Sequence, residues 1–191
     1  MNEDADLVSR TLAGDLDAFE ALYNKYKRSL YRTALAITED DGAADEILQD
    51  CFLRAYAHLP RLDLSTPLAA WLHRIAINLS YNRVAQRRLW SVSLDQIIDR
   101  LGAGSIPSPE QALERSELRE RVRRAIHALG FEQRVVVLLY YLQGFSLAEI
   151  AYILDCPLGT VKSRLHHARR KLRRELGADV AWTPGAALDL G

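Results

Sequence analysis

The sequence predicts an all-α fold, and three observations carry that expectation. Apolar residues recur three and four positions apart along nearly the whole chain, the period of a helix face. No alternating run of β-branched residues bounded by turn signals appears. Helix stops and starts interrupt the apolar pattern at Gly14-Asp15, Asp40-Asp41-Gly42, Pro60, Pro67 and Asp155-Cys156-Pro157.

A first helix is expected from about Asp4 to Ala13, with Leu7, Val8 and Leu12 on one face. A second starts at Leu16 and buries Phe19, Leu22, Tyr23 and Tyr26. It continues or breaks near Lys27–Ser29, then runs through Leu30, Ala34, Leu35 and Ile37 to a loop at Asp40-Asp41-Gly42. A third spans Ala43–Leu59, with Ile47, Leu48, Cys51 and Ala55 as core positions. Pro67 opens a fourth, whose stripe is Leu68, Trp71, Leu72, Ile75, Ala76 and Leu79.

Between Leu89 and Pro109 the helical period fails and Ser, Gly, Asp and Pro accumulate, the composition of a linker. The expected organisation is therefore two small helical domains, residues 1–90 and 110–176, joined by a flexible linker over 91–109, with a disordered tail over 177–191. The second is a four-helix domain: about Glu110–Ala128, Phe131–Leu142, and two helices that form a helix-turn-helix.

The chain has 191 residues, with 25 basic and 25 acidic side chains, and whole-chain neutrality by itself predicts no affinity for nucleic acid. The distribution matters more. Glu114–Leu176 carries 13 basic and 7 acidic residues, whereas Met1–Leu113 carries 12 basic and 16 acidic. Screening at physiological salt acts over about 8 Å, so a basic segment behaves locally as a basic protein. Cys51 and Cys156 have no ligand spacing, and the five histidines show none either, so no metal site or disulfide framework is expected. The acidic N-terminus lacks a signal core and no stretch is long enough to span a bilayer, which points to a cytoplasmic protein without membrane insertion.

Ser146-Leu-Ala-Glu149 is a capping box, so a helix begins near Leu147 and buries Leu147, Ile150, Ala151 and Leu154. Asp155 to Gly159 supplies the turn. Thr160 then starts a helix whose apolar stripe is Val161, Leu165, Ala168 and Leu172, and whose other faces are polar and basic. In helix-turn-helix geometry the N-terminal residues of the second helix reach base edges, which selects Lys162, Ser163, Arg164 and His167; Thr160 at the helix start also belongs to the DNA-binding set, and Arg169, Arg170 and Arg173 would hold phosphates.

FEQRVVVLLYYLQGFSLAEIAYILDCPLGTVKSRLHHARRKLRREL closely resembles region 4 of the extracytoplasmic-function (ECF) bacterial sigma factors. DADLVSRTLAGDLDAFEALYNKY resembles the start of region 2 of that family, ADEILQDCFLRAY its polymerase-binding helix, and AAWLHRIAINLSYNRVAQRR its promoter-melting helix. The resemblance implies a protein that binds core RNA polymerase, reads a minus-thirty-five element with its second domain and opens promoter DNA at the minus-ten element with its first. Asp45, Glu46, Leu48, Gln49, Asp50 and Phe52 would contact the polymerase, Phe52 as an exposed aromatic anchor. Arg74, Asn78, Tyr81, Asn82, Arg83, Arg87 and Arg88 would line the melting surface, with a mixture of hydrogen-bonding and cationic groups suited to separated strands.

The family's base-capturing loop corresponds to Arg61–Pro67, where RLDLSTPLAAW replaces the usual Arg-Gly-Asp-Ser-like stretch; Ser65 and Thr66 remain able to hydrogen-bond a base. The family further implies an anti-sigma partner, no cofactor, no small-molecule substrate and no enzymatic activity. Two rival readings are a stand-alone helix-turn-helix transcriptional regulator and an enzyme using Cys51 or a His/Asp pair. No nucleophile–base spacing supports the second.

Overall fold

The computed structural model describes residues 3–63, 66–90 and 121–176, without the side chains of 88–90. All regular structure among them is helical. The proposed linker, the tail and the start of the Glu110–Ala128 helix lie outside the described residues, as do Ser65 and the Arg88 side chain. The described residues divide into two compact units, 3–90 with 148–156, and 121–147 with 157–176.

The N-terminal bundle comprises α1 (Glu3–Leu12), α2 (Leu16–Thr38), α3 (Asp41–His58) and α4 (Leu68–Trp90), with a single 3-10 turn at Leu59–Arg61. The α1–α2 corner is set by one side chain doing two things. Gly14 takes the left-handed conformation at φ 92°, and Asp15 then caps α2 by accepting from the Ala18 N–H at 3.1 Å. The same carboxylate accepts from Arg10 at 2.7 and 2.9 Å, fixing the end of α1 to the start of α2. At the other end of α1, the Tyr26 hydroxyl donates to Asp4 at 2.6 Å and Lys25 pairs with Glu3 and Asp4.

Helix α2 runs unbroken through Lys27–Ser29, where the sequence leaves a break open. Leu22, Tyr26, Leu30, Ala34 and Ile37 keep one face buried across that stretch, so packing maintains the helix. It ends at Glu39, whose N–H still bonds the Leu35 carbonyl and whose left-handed φ of 55° turns the chain out of the helix. Asp40 then caps α3 through the Ala43 N–H at 2.9 Å. Asp41 and Gly42 are thus the first turn of α3, not the loop that three small polar residues predict.

Val8, Leu22, Tyr26, Leu30, Leu48, Cys51, Phe52 and Leu72 all belong to one buried core. Trp71 and Ile75 pack against it half-buried, consistent with a structural role for Trp71. Buried hydroxyls bond back to carbonyls four residues earlier: Thr11 to Leu7, Thr33 to Ser29, Thr38 to Ala34 and Ser80 to Ala76. His73, 1% exposed, lies against Ser29 of α2 at 3.1 Å and the Ala69 carbonyl at 2.8 Å.

Farther along the chain, residues 121–127 form α5, followed by α6 (Phe131–Val137), α7 (Leu147–Ile153) and α8 (Leu158–Leu176). Val135, Val136, Val137, Leu138 and Leu139 are all buried, so the chain is apolar on every side where α6 ends, and α6 packs against α8. The Phe131–Leu142 segment is not a uniform α-helix: Leu138–Leu142 widens into a π turn, with the Gln143 N–H reaching the Leu138 carbonyl at 3.2 Å. Gly144, at φ 73°, ends it.

Helix α7 begins at Leu147, one residue after the Ser of the capping box. Its buried residues are Ile150 and Ile153; Leu147, Ala151 and Leu154 are only half-buried. Asp155 supplies the left-handed stop at φ 50°, and the Cys156 N–H bonds the Ala151 carbonyl at 3.1 Å. The Pro157 carbonyl then accepts from Thr160 and Val161, so α8 begins at Leu158. The turn is therefore shorter than the Asp155–Gly159 span expected, because Pro157 both ends one segment and opens the next helix without wasting an N–H.

Candidate nucleic-acid interface

Helix α8 sorts its residues by face. Val161, Leu165, Ala168, Leu172 and Leu176 are buried, extending the predicted stripe by one turn. Lys162, Ser163, His166, His167, Arg170, Arg173 and Arg174 are exposed. These recur at helical spacing along one outer surface from Lys162 to Arg174, the shape that a duplex groove accepts. The His166 and His167 rings meet edge to face at 5.6 Å. His166 therefore belongs to this surface as much as His167, although the sequence assigned only the latter; its spacing of four from Lys162 was the available signal.

Three other cations on α8 turn to the helix's own unit. Arg164 pairs with Glu132 at the start of α6, 2.9 Å apart, with its side chain only 27% exposed. The position adjoins the buried stripe, and in the chain without DNA the carboxylate draws the guanidinium toward α6. Arg169 donates from Nε to the Tyr141 hydroxyl at 2.8 Å and lies over the rings of Tyr140 and Tyr141. Lys171 donates to the Ala128 carbonyl. Thr160 is half-buried in the first turn.

In the N-terminal bundle, α4 presents Asn78, Asn82, Arg83, Gln86 and Arg87 as exposed residues, while Arg74 and Tyr81 are half-buried. Two of these arginines meet α3 or its cap. Arg83 pairs with Glu46 at 2.9 Å and Arg87 with Asp40 at 3.5 Å, each partner close to half exposed or more. Thr38, Asp40, Ala43, Arg83, Val84, Gln86 and Arg87 line a shallow open groove there. The residues expected to touch polymerase and those expected to touch DNA thus adjoin through an ion pair. Near the loop before α4, Thr66 is half-buried and its N–H bonds the Asp63 carbonyl at 3.0 Å.

On α3, Asp45, Glu46, Gln49 and Asp50 are exposed as expected. Leu48 is 8% exposed, as its core position in the sequence pattern predicts, but Phe52 is only 5% exposed. Phe52 packs its ring against Tyr23 at 4.8 Å and Phe19 at 6.2 Å, so it is a core residue and no exposed anchor. Ala44, Leu48, Cys51, Phe52 and Ala55 form one stripe at helical spacing, and burial of an aromatic ring outweighs its display. The apolar side chains displayed on this helix are Leu53, 70% exposed, and Tyr56, 48% exposed and edge to face with Phe19 at 5.0 Å.

The buried Cys51 thiol donates to the Leu72 carbonyl, and burial pushes its pKa up to about 12, which leaves it protonated and unreactive. Among the described residues no group of His, Cys, Asp and Glu has the arrangement to hold a metal ion, and no helix is long and apolar enough to cross a membrane.

Comparison with known proteins accords with this geometry. Residues 22–89 match the sigma-70 region 2 family and residues 119–172 match sigma-70 region 4. The chain is 31% identical over 181 residues to the ECF RNA polymerase sigma factor SigW of Bacillus subtilis, covering 88% of this chain and 94% of that one. It is 35% identical over 176 residues to the ECF RNA polymerase sigma-E factor of Escherichia coli, covering 88% and 92%. Its fold resembles the sigma factor RpoE of Bartonella quintana, solved with the anti-sigma factor NepR, at a TM-score of 0.68, 24% identity, and coverage of 85% and 98%. It also resembles CnrH, solved with the cytosolic domain of CnrY, at a TM-score of 0.66, 24% identity, and coverage of 94% and 100%. With region 2 and region 4 present in order and relatives above 30% identity along nearly their whole length, the chain belongs to the ECF family of bacterial RNA polymerase sigma factors.

Proposed function

We propose that residues 1–90 bind core RNA polymerase and open the minus-ten element, and that residues 110–176 read the minus-thirty-five element through the outer face of α8. The chain acts as a sigma factor, directing polymerase to promoters, and it does so in the cytoplasm with no cofactor and no small-molecule substrate. It contributes no catalytic group; nucleotide addition stays with the polymerase. The observation that carries the proposal is the row Lys162, Ser163, His166, His167, Arg170 and Arg173, exposed along one side of the helix that ends the region 4 match.

The acidic residues Asp45, Glu46 and Asp50 on α3, with the neutral amide of Gln49 among them, form the polymerase-facing surface, where opposite charge on the partner would steer encounter. Leu53 replaces Phe52 as its apolar contact. Asn78, Asn82, Arg83 and Arg87 on α4 are the groups offered to separated strands, and Ser65 and Thr66 to a captured base, at a cost of a few kcal/mol for extrusion. The structural relative solved with the anti-sigma factor NepR supports a similar regulator for this chain, one that would cover the polymerase-binding face.

A stand-alone regulator would need its N-terminal half for ligand sensing or dimerisation, whereas that half matches region 2. Promoter-duplex affinity measured with and without core polymerase tests the proposal. Tight, sequence-specific binding that requires the polymerase is expected; equally tight and specific binding by the chain alone would refute it.

A further inference from the structure

Arg164 and Arg169 both turn toward the helices that precede them, but their partners differ in charge. Glu132 neutralises Arg164. Arg169 is held by neutral groups: its Nε donates to the Tyr141 hydroxyl at 2.8 Å, and its guanidinium lies 5.2 Å from the Tyr140 ring centroid and 5.6 Å from that of Tyr141. Among the described residues Arg169 has no carboxylate partner. The residue as a whole stays exposed, so a cation is fixed in direction while its charge is left uncompensated.

The seat is itself built for rigidity. Tyr141 is 2% exposed, and the two consecutive rings stand edge to face at 5.0 Å and 87°. Consecutive side chains on an α-helix diverge by about 100° around the axis. The wider π turn at Leu138–Leu142 reduces that divergence and brings both rings to the same guanidinium. An arginine normally surrenders much rotamer freedom when it binds an anion; here the ordering is already done before DNA arrives. Arg169 also lies late on α8, seven residues after Lys162, in the part of a recognition helix that meets backbone and not base edges.

We infer that Tyr140 and Tyr141 form a seat that presents the outward nitrogens of Arg169 to a phosphate of promoter DNA, with Tyr141 as a positioning residue. This rests on the proposal that α8 is the upstream-element reader. The phosphate would accept from the Nη groups while Nε stays on Tyr141, a charge-assisted contact without sequence preference.

The test uses the full chain assembled with core polymerase and a fluorescent promoter duplex taken from a start site mapped after forced expression. Affinity is measured from roughly 50 to 200 mM KCl. Arg169→Ala is expected to flatten the log–log salt slope by about 0.9, the loss of one phosphate contact. Tyr141→Phe, which removes only the hydroxyl, is expected to weaken binding about tenfold and to add nothing in the Arg169→Ala background.

Arg169→Lys should keep the salt slope yet lose its dependence on Tyr141, because an ammonium has no planar fork to stack. An unchanged slope in Arg169→Ala would mean that the arginine only braces the fold and would overturn the inference. So would additive losses from Tyr141→Phe and Arg169→Ala. If the wild-type assembly fails to distinguish the promoter from a scrambled duplex, the promoter-reading proposal falls, and the seat with it; a wild type that discriminates beside a silent Arg169→Ala removes the seat alone.

Discussion

His73 should make the N-terminal bundle acid-sensitive well above the pH at which its surface carboxylates titrate. Its ring is 1% exposed, with Nδ1 donating to the Ala69 carbonyl at 2.8 Å and Nε2 facing the Ser29 hydroxyl at 3.1 Å. Those contacts suit the neutral tautomer with Nε2 as acceptor. Burial, opposed only by the Ala69 contact, lowers its pKa from 6.5 to about 4. The folded state therefore releases a proton that the unfolded state retains between those two values. The stabilisation is complete above pH 6.5 and is lost as pH falls toward 4, at about 1.4 kcal/mol per pH unit. Across the window this is about 3 kcal/mol, a large part of what a domain this size possesses.

Urea unfolding followed by circular dichroism at pH 7.5, 6 and 5 measures the effect, with His73→Gln as the reference. The glutamine loses some stability at every pH, but it removes the titrating group, so the gap between the two proteins should narrow as pH falls. Since His73 joins α4 to α2, the polar face of α4 depends on the same packing. Parallel stability curves for the two proteins, or a native-state imidazole that titrates near pH 6.5 by NMR, would refute the reasoning.

Phe52→Ala should destabilise the bundle by about 3–5 kcal/mol, as loss of a buried ring does, whereas Leu53→Asp should leave its melting unchanged and weaken capture of core polymerase in a pull-down titration. If Phe52→Ala melts like wild type, Phe52 is not core. For Arg164 and Glu132, a double-mutant cycle on thermal unfolding should return a coupling of about 0.5–1 kcal/mol, modest because both side chains remain partly solvated. Zero coupling would refute the pairing as a stabilising contact, and a change of base preference in Arg164→Ala would make Arg164 a reader. A disulfide reagent should modify the half-buried Cys156 quickly and Cys51 only on unfolding; equal rates under native conditions would contradict the raised Cys51 pKa.

Periodicity made the helices legible because each buries one dominant face: Leu22, Tyr26 and Leu30 in α2, and Val161, Leu165, Ala168 and Leu172 in α8, follow directly from spacing. It failed where a helix is buried on more than one side. In α4, Ala70, His73 and Ile77 are as buried as the stripe that the pattern picks out, so a histidine that reads as polar surface lies in the interior. Phe52 was misassigned for a related reason: the motif resemblance marks a segment as an interface without saying which side chains of that segment point out. The π turn has no spacing signature of its own. Nor does spacing show that Glu132 lies across from Arg164, since that pairing depends on how α6 and α8 pack.

The same packing changes what the basic segment can do. Counted along the sequence, α8 carries seven Lys and Arg residues, and a count alone offers all seven to DNA. In the fold, Glu132 neutralises Arg164, Lys171 caps a carbonyl and Arg174 lies 3.5 Å from Glu175. Lys162, Arg170, Arg173 and the seated Arg169 remain to meet phosphate. Four such contacts supply a weak, salt-sensitive attraction by themselves, since each adds less than one unit to the salt slope. Selectivity then has to come from the uncharged and imidazole groups at the start of the helix, Ser163, His166 and His167, together with a second grip elsewhere. Coupling two weak grips through one polymerase raises their effective concentration at a promoter, and only sites that satisfy both are occupied for long.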